Sequence, residues 1–464
     1  MKKTTFALYF GNRGFFPGEV IAEARTAMIR ACEENGYGYL IMDEALTRYG
    51  AVETLAEGKL YAAFLAEHKG EYDGIILSLP NFGDENGAAA AFRDVDVPVL
   101  VQAFPDEIDK MDFAHRRDSM CGKMAMCNVL RQMDIRYTLT KDFCVHPLSA
   151  AFAEDLRMFA GVCRVVNGMR KFSIGAIGAR TTAFKTVRYD EIAFQSKRVN
   201  VETIDLSRVF AQMETVDEEK LAAKKERYTS LASFSAYPPQ KLDSIARLGV
   251  VVDDLIEEYE LDAVAIRCWD ELQKKFGIAP CLILGELNER GIAAACELDV
   301  TNAVMMRAVG LAADYPVMLL DVNNNYGDCA DKAVFFHCGP VPASLLQDKG
   351  TIEEHLMFRK TYGEGNGVGI NKAQIITGPV TVGSFKTENG QLCAFVTEGT
   401  LTDDPLPEAF FGCGTVFQKD DCAAMLKYMA QNGYRHHVAI TRGNVAEAVE
   451  EAFRNYLEYR IDRI

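Results

Sequence analysis

Residues 73–80 read DGIILSLP, an apolar run between a charged residue and a proline. Such a continuous run is typical of a strand that is buried on both faces of a sheet. The first 150 residues hold three more runs of this kind: TFALYF (5–10), GYLIMD (38–43) and VPVLVQAF (97–104). Longer amphipathic segments separate them. Buried strands that alternate with helices predict a parallel sheet covered by helices on both faces.

The same pattern starts again at KFSIGAIG (171–178). Further apolar runs follow, namely VNVETIDL (199–206), AVAIRC (263–268), AAACE (293–297), VMLLD (317–321) and AVFFHC (333–338). After about residue 345 polar and apolar residues alternate, with an Asn-Gly turn inside AQIITGPVTVGSFKTENGQLCAFVTEGTL (373–401). This alternation predicts antiparallel strands and hairpins.

We therefore predict an α/β protein made of three segments. Two Rossmann- or flavodoxin-like doubly wound domains, residues 1–168 and 169–345, precede a smaller antiparallel β-rich domain, residues 346–464. The chain closes with a predicted strand (436–443) and a predicted helix (445–462).

Composition excludes several classes of function. The 464 residues are 49% hydrophobic and 25% charged, and the formal net charge of −16 argues against nucleic acid as a partner. None of the 13 cysteines forms a C-x-x-C pair, and their odd number favours reduced thiols in the cytoplasm. No run approaches the roughly 18 apolar residues of a membrane helix. We expect a cytoplasmic protein that acts on a small molecule.

Two carboxylates and a histidine stand near the ends of apolar runs in the second segment. Glu297 ends AAACE, Asp321 ends VMLLD, and His337 nearly ends AVFFHC. Ligands of α/β sheets bind beyond the carboxyl ends of parallel strands, so we expect these three side chains to converge. A helix cap, a turn residue or a satisfied ion pair is the alternative for each residue taken alone.

A histidine pair, His436 and His437, opens the last predicted strand. Neighbouring residues of a strand point to opposite faces, so one of the two can face a site. Two carboxylates with one imidazole suit a divalent ion such as Mn²⁺ better than a structural zinc, which prefers thiolates. The alternative is an ordinary surface pair.

Three arginines and one tryptophan are candidates for substrate binding. Arg13 follows the first strand, and Arg180 and Arg188 flank the turn after KFSIGAIG, where planar guanidinium groups can hold a sugar or its anionic substituent. Trp269, the only tryptophan, follows AVAIRC and could stack on a sugar face. Ion pairs for the arginines and core packing for the tryptophan are the alternatives.

Several segments, spread over nearly the whole chain, carry a family resemblance. They include residues 116–135, 173–191, 265–272, 293–306, 318–325, 333–345 and 433–445. In these segments the chain resembles the L-fucose isomerase/L-arabinose isomerase superfamily, and within it the fucose-isomerase-like branch, which includes sulfoquinovose isomerases. Two departures from the family pattern concern the substrate pocket. Residues 268–270 read CWD where the family more often has CWP, and VNNNYGD follows Asp321 where a hydrophobic and acidic run is more usual.

The resemblance implies a metal-dependent aldose–ketose isomerase that moves a proton between C1 and C2 of a free, non-phosphorylated sugar through an enediol. The family binds a divalent ion, usually Mn²⁺, and its ligands match Glu297, Asp321 and His437. Glu297 and Asp321 are also the implied acid–base pair. His436 remains the alternative to His437, and His337 is either a further ligand or a substrate contact.

The resemblance also implies a homo-oligomer, a trimer or a hexamer. Two substrates fit it: sulfoquinovose, converted to sulfofructose, and a neutral aldose of the fucose or arabinose type. Two other functions stay open at this point. One is a metal-dependent sugar epimerase or aldolase, and the other is a non-catalytic sugar-binding protein on the same fold.

Overall fold

The computed structural model describes residues 3–464, which form two compact units. Of the described residues, the first unit comprises 3–167 and Glu451–Glu458, and the second comprises Gly168–Glu450 and Tyr459–Ile464. The α/β class with a β-rich C-terminal part is confirmed, whereas the division at residues 168 and 345 stays a prediction.

The first unit is built on a five-stranded parallel sheet in the order β2-β1-β3-β4-β5, as in flavodoxin-like folds. Its strands are β1 (Thr5–Phe10), β2 (Gly38–Ile41), β3 (Gly74–Leu79), β4 (Val99–Ala103) and β5 (Thr138–Leu139). Its helices are α1 (Val20–Glu34), α2 (Leu55–Glu67), α3 (Glu85–Phe92), α4 (Ser119–Gln132) and α5 (Ala150–Met169). β3 is buried along its whole length, which explains its uninterrupted apolar sequence.

Fourteen strands follow in the rest of the chain. They are β6 (Phe172–Ile177), β7 (Val199–Ile204), β8 (Ala232–Ser233), β9 (Ala263–Ile266), β10 (Ala293–Cys296), β11 (Val317–Asn325), β12 (Lys332–His337), β13 (Gly350–Glu354), β14 (Val368–Lys372), β15 (Gly378–Glu388), β16 (Gln391–Thr402), β17 (Cys413–Gln418), β18 (His437–Arg442) and β19 (Arg460–Arg463).

The helices after α5 lie between these strands. They are α6 (Glu191–Ser196), α7 (Leu206–Glu214), α8 (Glu218–Leu231), α9 (Pro239–Glu258), α10 (Glu271–Phe276), α11 (Cys281–Glu289), α12 (Val300–Ala313), α13 (Leu356–Tyr362), α14 (Cys422–Gln431) and α15 (Ala446–Glu451). Four of them begin at an aspartate that accepts from the first backbone N–H groups, as Asp190 does from Ala193 at 3.0 Å in α6.

The second unit contains two large sheets. One is parallel, in the order β10-β9-β6-β7. The other is a closed antiparallel barrel, because β15, β18, β11, β12, β17 and β16 pair in turn and β16 pairs back onto β15. β19 adds to β16 in parallel. Buried aromatic rings fill the barrel, for example Phe335 stacked on Phe417 with centroids 4.7 Å apart.

The expectation that Glu297, Asp321 and His337 end neighbouring parallel strands is wrong. β10 belongs to the parallel sheet, whereas β11 and β12 are antiparallel strands of the barrel. β11 also continues to Asn325, so Asp321 lies inside the strand. A short apolar run shows that a strand is buried but not in which direction it pairs.

The predicted closing helix over residues 445–462 is only partly correct. α15 ends at Glu451, a π-helical turn covers Ala452–Leu457, and Glu458 adopts a left-handed backbone conformation that ends the helix. The last residues then form β19. Since Ile461 is buried against the barrel, burial rather than local helix propensity determines this end.

No helix within residues 3–464 combines the length and the apolar character needed to cross a membrane.

Candidate metal centre

The candidate site lies in the second unit, where side chains from the parallel sheet and from the barrel meet. Glu297 directly follows β10. Asp321 in β11 stands opposite His437, the first residue of β18, in the antiparallel register. His337 ends β12, next to Phe336, which pairs with Asp321. The barrel register therefore places Asp321 and His437 side by side, and the ring of His337 lies 5.9 Å from that of His437.

Short distances join the predicted residues. His437 Nε2 lies 2.9 Å from Glu297 Oε2 and 3.3 Å from Asp321 Oδ1, and His436 Nε2 lies 3.8 Å from Asp321 Oδ1. Two overlapping triads each place their possible ligand atoms within 4.8 Å of one another: Glu297 with His337 and His437, and Asp321 with His436 and His437. His437 belongs to both triads and is fully buried.

The buried polar atoms of this cluster fit a divalent cation. Within residues 3–464, His437 Nε2, His337 Nε2 and Asp321 Oδ1 are buried without a hydrogen-bond partner, because the short contacts among them lack hydrogen-bond geometry. Leaving such an atom unpaired costs about 1–3 kcal/mol. Imidazole and carboxylate groups that converge without bonding one another are a suitable donor set for an ion of the Mn²⁺ type.

Asp299 fixes the orientation of the His437 ring. His437 Nδ1 lies 2.9 Å from Asp299 Oδ2, and since an ionised carboxylate only accepts, Nδ1 donates. In the neutral ring the Nε2 lone pair therefore points towards Glu297. Asp299 is held in turn by Arg435 at 2.6 Å and by the backbone N–H of Asn302 at 3.0 Å. A carboxylate that orients a histidine in this way is the usual support of a metal ligand.

The pKa shifts reflect the same charges. Burial alone would lower the pKa of His437, but its hydrogen bond to Asp299 and the nearby carboxylates of Glu297 and Asp321 raise that pKa to about 10. Burial would raise the pKa values of Glu297 and Asp299, yet both pKa values are lowered, by His437 for Glu297 and mainly by Arg435 for Asp299. A cation bound to these carboxylates would take the place of the His437 proton.

His337 has the opposite hydrogen-bond pattern. Its Nδ1 accepts the backbone N–H of Cys338 at 2.9 Å, so the proton of its neutral ring lies on Nε2. Burial would lower the pKa of His337, but Cys338, Asp321 and Glu297 raise it to about 9. In that neutral ring, Nε2 can donate its hydrogen to a substrate oxygen.

The backbone between β10 and α12 adopts a rare conformation. Glu297 and Leu298 both have φ of 60°, a left-handed region that costs roughly 1–3 kcal/mol per non-glycine residue. The turn aims Glu297 at His437 and places Asp299 as the N-cap of α12, where it accepts from Asn302. Sequence reasoning missed Asp299 and Arg435. The signal for Asp299 was its position just before a helix, two residues after Glu297.

Comparison with known proteins identifies the family. Residues 7–170 match the family model "Fucose/sulfoquinovose isomerase, N-terminal domain", and residues 335–464 match "L-fucose isomerase, C-terminal domain". A protein named sulfoquinovose isomerase from Alkalicoccus urumqiensis is 24% identical over 401 residues, which cover 84% of this chain and 86% of that protein. One of the same name from Clostridium sp. (strain MSTE9) is 23% identical over 342 residues, covering 72% and 73% of the two chains.

The chain belongs to the fucose-isomerase-like family. It is a sugar isomerase, an intramolecular oxidoreductase of the ketol-isomerase type, and its substrate is a small-molecule sugar. The alternative of a non-catalytic sugar-binding protein on the same fold is thereby set aside.

The ring of Phe184 stands between the histidine pair and Trp269 in this isomerase. The ring of Phe184 lies 5.6 Å from that of His437, 5.7 Å from that of His436 and 5.8 Å from Trp269. Phe184 belongs to the loop after β6, which forms a short 3₁₀ turn at Lys185–Val187. Sequence reasoning selected Trp269 but missed Phe184, because a phenylalanine in a loop carries no distinctive pattern.

A cavity of about 300 Å³ opens next to Glu297. Its lining is mostly apolar or thiol-bearing and includes Cys268, Trp269, Cys281, Cys338, Phe358 and Tyr362. Such a cavity is large enough for part of a small ligand.

The predicted arginines occupy different surroundings. Arg180 donates to the carbonyl of Thr181 at 3.1 Å, and Arg188 donates to that of Lys185 at 3.2 Å. Both arginines therefore bond to backbone carbonyls of the loop that contains Phe184. Arg13 belongs to the first unit, where it pairs with Glu85 at 3.0 Å.

Proposed function

We propose that this isomerase interconverts an aldose and a ketose by moving a proton between C1 and C2 of the sugar. A bound divalent cation assists the reaction, and Mn²⁺ is the cation that we propose first. One observation carries the proposal: the buried Nε2 of His437, whose orientation Asp299 fixes, faces Glu297 at 2.9 Å and Asp321 at 3.3 Å. We propose that these three residues hold the cation. His436, with a side chain 43% exposed, is left beside the substrate.

The chemistry needs both charge stabilisation and proton transfer. When bound, a divalent cation stabilises the negative charge that develops on the substrate oxygens as the C–H bond breaks. Glu297 and Asp321 are the groups that remove the proton from one carbon and return it to the other. His337 donates its Nε2 hydrogen to a substrate oxygen. Positioned acid–base groups of this kind typically contribute about 10²–10⁴-fold to the rate.

For the substrate we propose sulfoquinovose, with sulfofructose as the product. The relatives named above suggest this sugar. In this chain the loop after β6 carries Arg180 and Arg188 and also brings Phe184 to within 5.6 Å of the His437 ring. Guanidinium groups on that loop can bind a sulfonate by charge-assisted hydrogen bonds.

A neutral aldose of the fucose or arabinose type is the second candidate. Among residues 3–464, the side chains that line the cavity next to Glu297 include no lysine and no arginine. Because a sulfonate inside that cavity would lack a charged partner, the cavity favours an uncharged end of a sugar.

The test is a substrate panel with metal-free protein to which Mn²⁺ is returned. Sulfoquinovose, fucose and arabinose are each incubated in deuterated water, and ketose formation and carbon-bound deuterium are measured. We expect ketose from sulfoquinovose only when Mn²⁺ is present. Deuterium uptake without ketose would instead support an epimerase or an aldolase. Equal turnover with and without Mn²⁺ would contradict the metal-assisted mechanism.

We also propose that the chain assembles into a trimer or a hexamer, as the family resemblance implies. Light scattering coupled to size-exclusion chromatography measures the mass directly. A mass of one 51.4 kDa chain at micromolar concentration would contradict this proposal.

A further inference from the structure

Two cysteines face each other in the cavity next to Glu297. Cys281 is the first residue of α11, Cys338 follows β12, and their sulfur atoms lie 3.5 Å apart. The two residues are 57 positions apart in the chain, so the fold and not the local sequence brings them together. We call Cys281 and Cys338 the dithiol.

The dithiol can close with a small movement. A disulfide bond is about 2.05 Å long, so the sulfur atoms must approach by roughly 1.5 Å. Cys338 is half-buried and lies in a segment without regular structure after β12, whereas Cys281 is buried. Both line the cavity, which gives a small oxidant a route to them.

We propose that the dithiol is an oxidative modification site, at which a peroxide converts the two thiols into a disulfide. The more exposed sulfur, that of Cys338, attacks hydrogen peroxide. The O–O bond breaks, one oxygen leaves as water, and a sulfenic acid remains. The sulfur of Cys281 then attacks Cys338, the S–O bond breaks, and the second oxygen leaves as water. The two thiols lose two electrons and two protons, and one peroxide becomes two water molecules.

Closure of the dithiol would disturb the proposed isomerase site. The backbone N–H of Cys338 fixes His337 through Nδ1 at 2.9 Å, so a shift of Cys338 displaces His337 as well. The disulfide would also narrow the cavity that borders Glu297. This effect on turnover rests on the proposed function, whereas formation of the disulfide does not.

A purely structural role is the alternative. Cys281 packs with Ala279 and Phe358, and Trp269, Cys338 and Tyr362 surround this small cluster. Buried thiols often serve as small apolar side chains. If packing is their only role, peroxide should oxidise exposed thiols first and leave the dithiol reduced.

The experiment uses the full-length, Mn²⁺-loaded protein, reduced and then treated with hydrogen peroxide. Peptide mapping under non-reducing conditions should show a Cys281–Cys338 cross-link. Turnover should fall by roughly 100-fold, the loss that a misplacement of about 1 Å can cause, and a thiol reductant should restore it. The variants Cys281→Ser and Cys338→Ser should form no cross-link, and peroxide should leave the turnover of each at its own untreated value. Cys32→Ser, at a buried thiol of α1, should respond like the wild type.

Two outcomes would overturn the proposal. One is oxidation of the exposed Cys121 and Cys329 while both dithiol residues remain reduced. The other is a cross-link that leaves turnover unchanged. If the protein shows no isomerase turnover at all, the proposed function fails; the modification site is then judged by the cross-link alone, so the two failures are distinguishable.

Discussion

The two sides of the candidate site hold their histidines in opposite ways. On one side, which we call the carboxylate side, Asp299 accepts from Nδ1 of His437 and is itself held by Arg435. On the other, the thiol side, Nδ1 of His337 accepts a backbone N–H beside Cys338 and Cys281. In the neutral rings, the first arrangement leaves a lone pair on Nε2, and the second leaves a hydrogen there. The carboxylate side is thus suited to hold a cation, and the thiol side to contact the substrate.

The largest effect is expected where the two sides meet. Glu297→Gln keeps the size of the side chain but removes the charge and the base, so turnover should fall by roughly 10²–10⁴-fold. Steady-state kinetics measures this loss, and circular dichroism should show an unchanged fold. Glu364→Gln, at an exposed glutamate, is the matched control and should retain wild-type turnover. A fully active Glu297→Gln enzyme would remove the catalytic assignment.

The next effect concerns the stability of the carboxylate side. Arg435→Met removes the guanidinium partner of the fully buried Asp299, which should destabilise the fold by about 3–5 kcal/mol. Thermal unfolding measures the loss. Arg30→Met removes an exposed i,i+4 pair with Glu34 and should change stability by less than about 1 kcal/mol. Similar losses of stability in the two variants would mean that the buried Arg435–Asp299 pair contributes no more than an exposed ion pair.

A smaller effect on metal binding tests the role of Asp299. Asp299→Asn can still accept from His437 through its amide oxygen, but without a charge, so the affinity for Mn²⁺ should fall by roughly 10- to 100-fold. Calorimetric titration of metal-free protein with Mn²⁺ gives this value independently of turnover. Unchanged affinity would show that the orientation of the His437 ring does not depend on the carboxylate.

The smallest effect is expected for the variant Cys281→Ser, at the dithiol of the thiol side. Since neither triad includes a thiol, Cys281→Ser should leave the affinity for Mn²⁺ unchanged. Its buried hydroxyl should lower stability by about 1–3 kcal/mol at most. Calorimetric titration with Mn²⁺ and a melting curve test these two statements. A large loss of Mn²⁺ affinity would show that the thiol side also contributes to metal binding.

The sequence predicts four of the five strands of the N-terminal sheet, because each of them is a continuous apolar run that can be recognised locally. It misses β5, which has only two residues. The barrel is less predictable. β11 pairs with β18, whose first residue His437 stands opposite Asp321 more than a hundred positions earlier, and no local pattern specifies that partner. The prediction of neighbouring parallel strand ends failed for this reason, although the residues it selected do lie together.

The site shows the same limit. Glu297, Asp321 and the histidine pair stand out because charged groups interrupt apolar runs. Asp299 does not, because an aspartate before a helix is an ordinary cap, and Arg435 bonds a partner 136 positions away. Roles that depend on which nitrogen of a histidine carries the proton appear only once the hydrogen bonds of both rings are known.

The most direct test of this account compares Mn²⁺ binding by His437→Gln and His337→Gln. Both metal-free variants are titrated with Mn²⁺ in a calorimeter, with the wild type alongside. We predict that His437→Gln loses tight binding, whereas His337→Gln keeps wild-type affinity but loses turnover. Loss of binding in His337→Gln together with retained binding in His437→Gln would contradict the assignment of the cation to the carboxylate side.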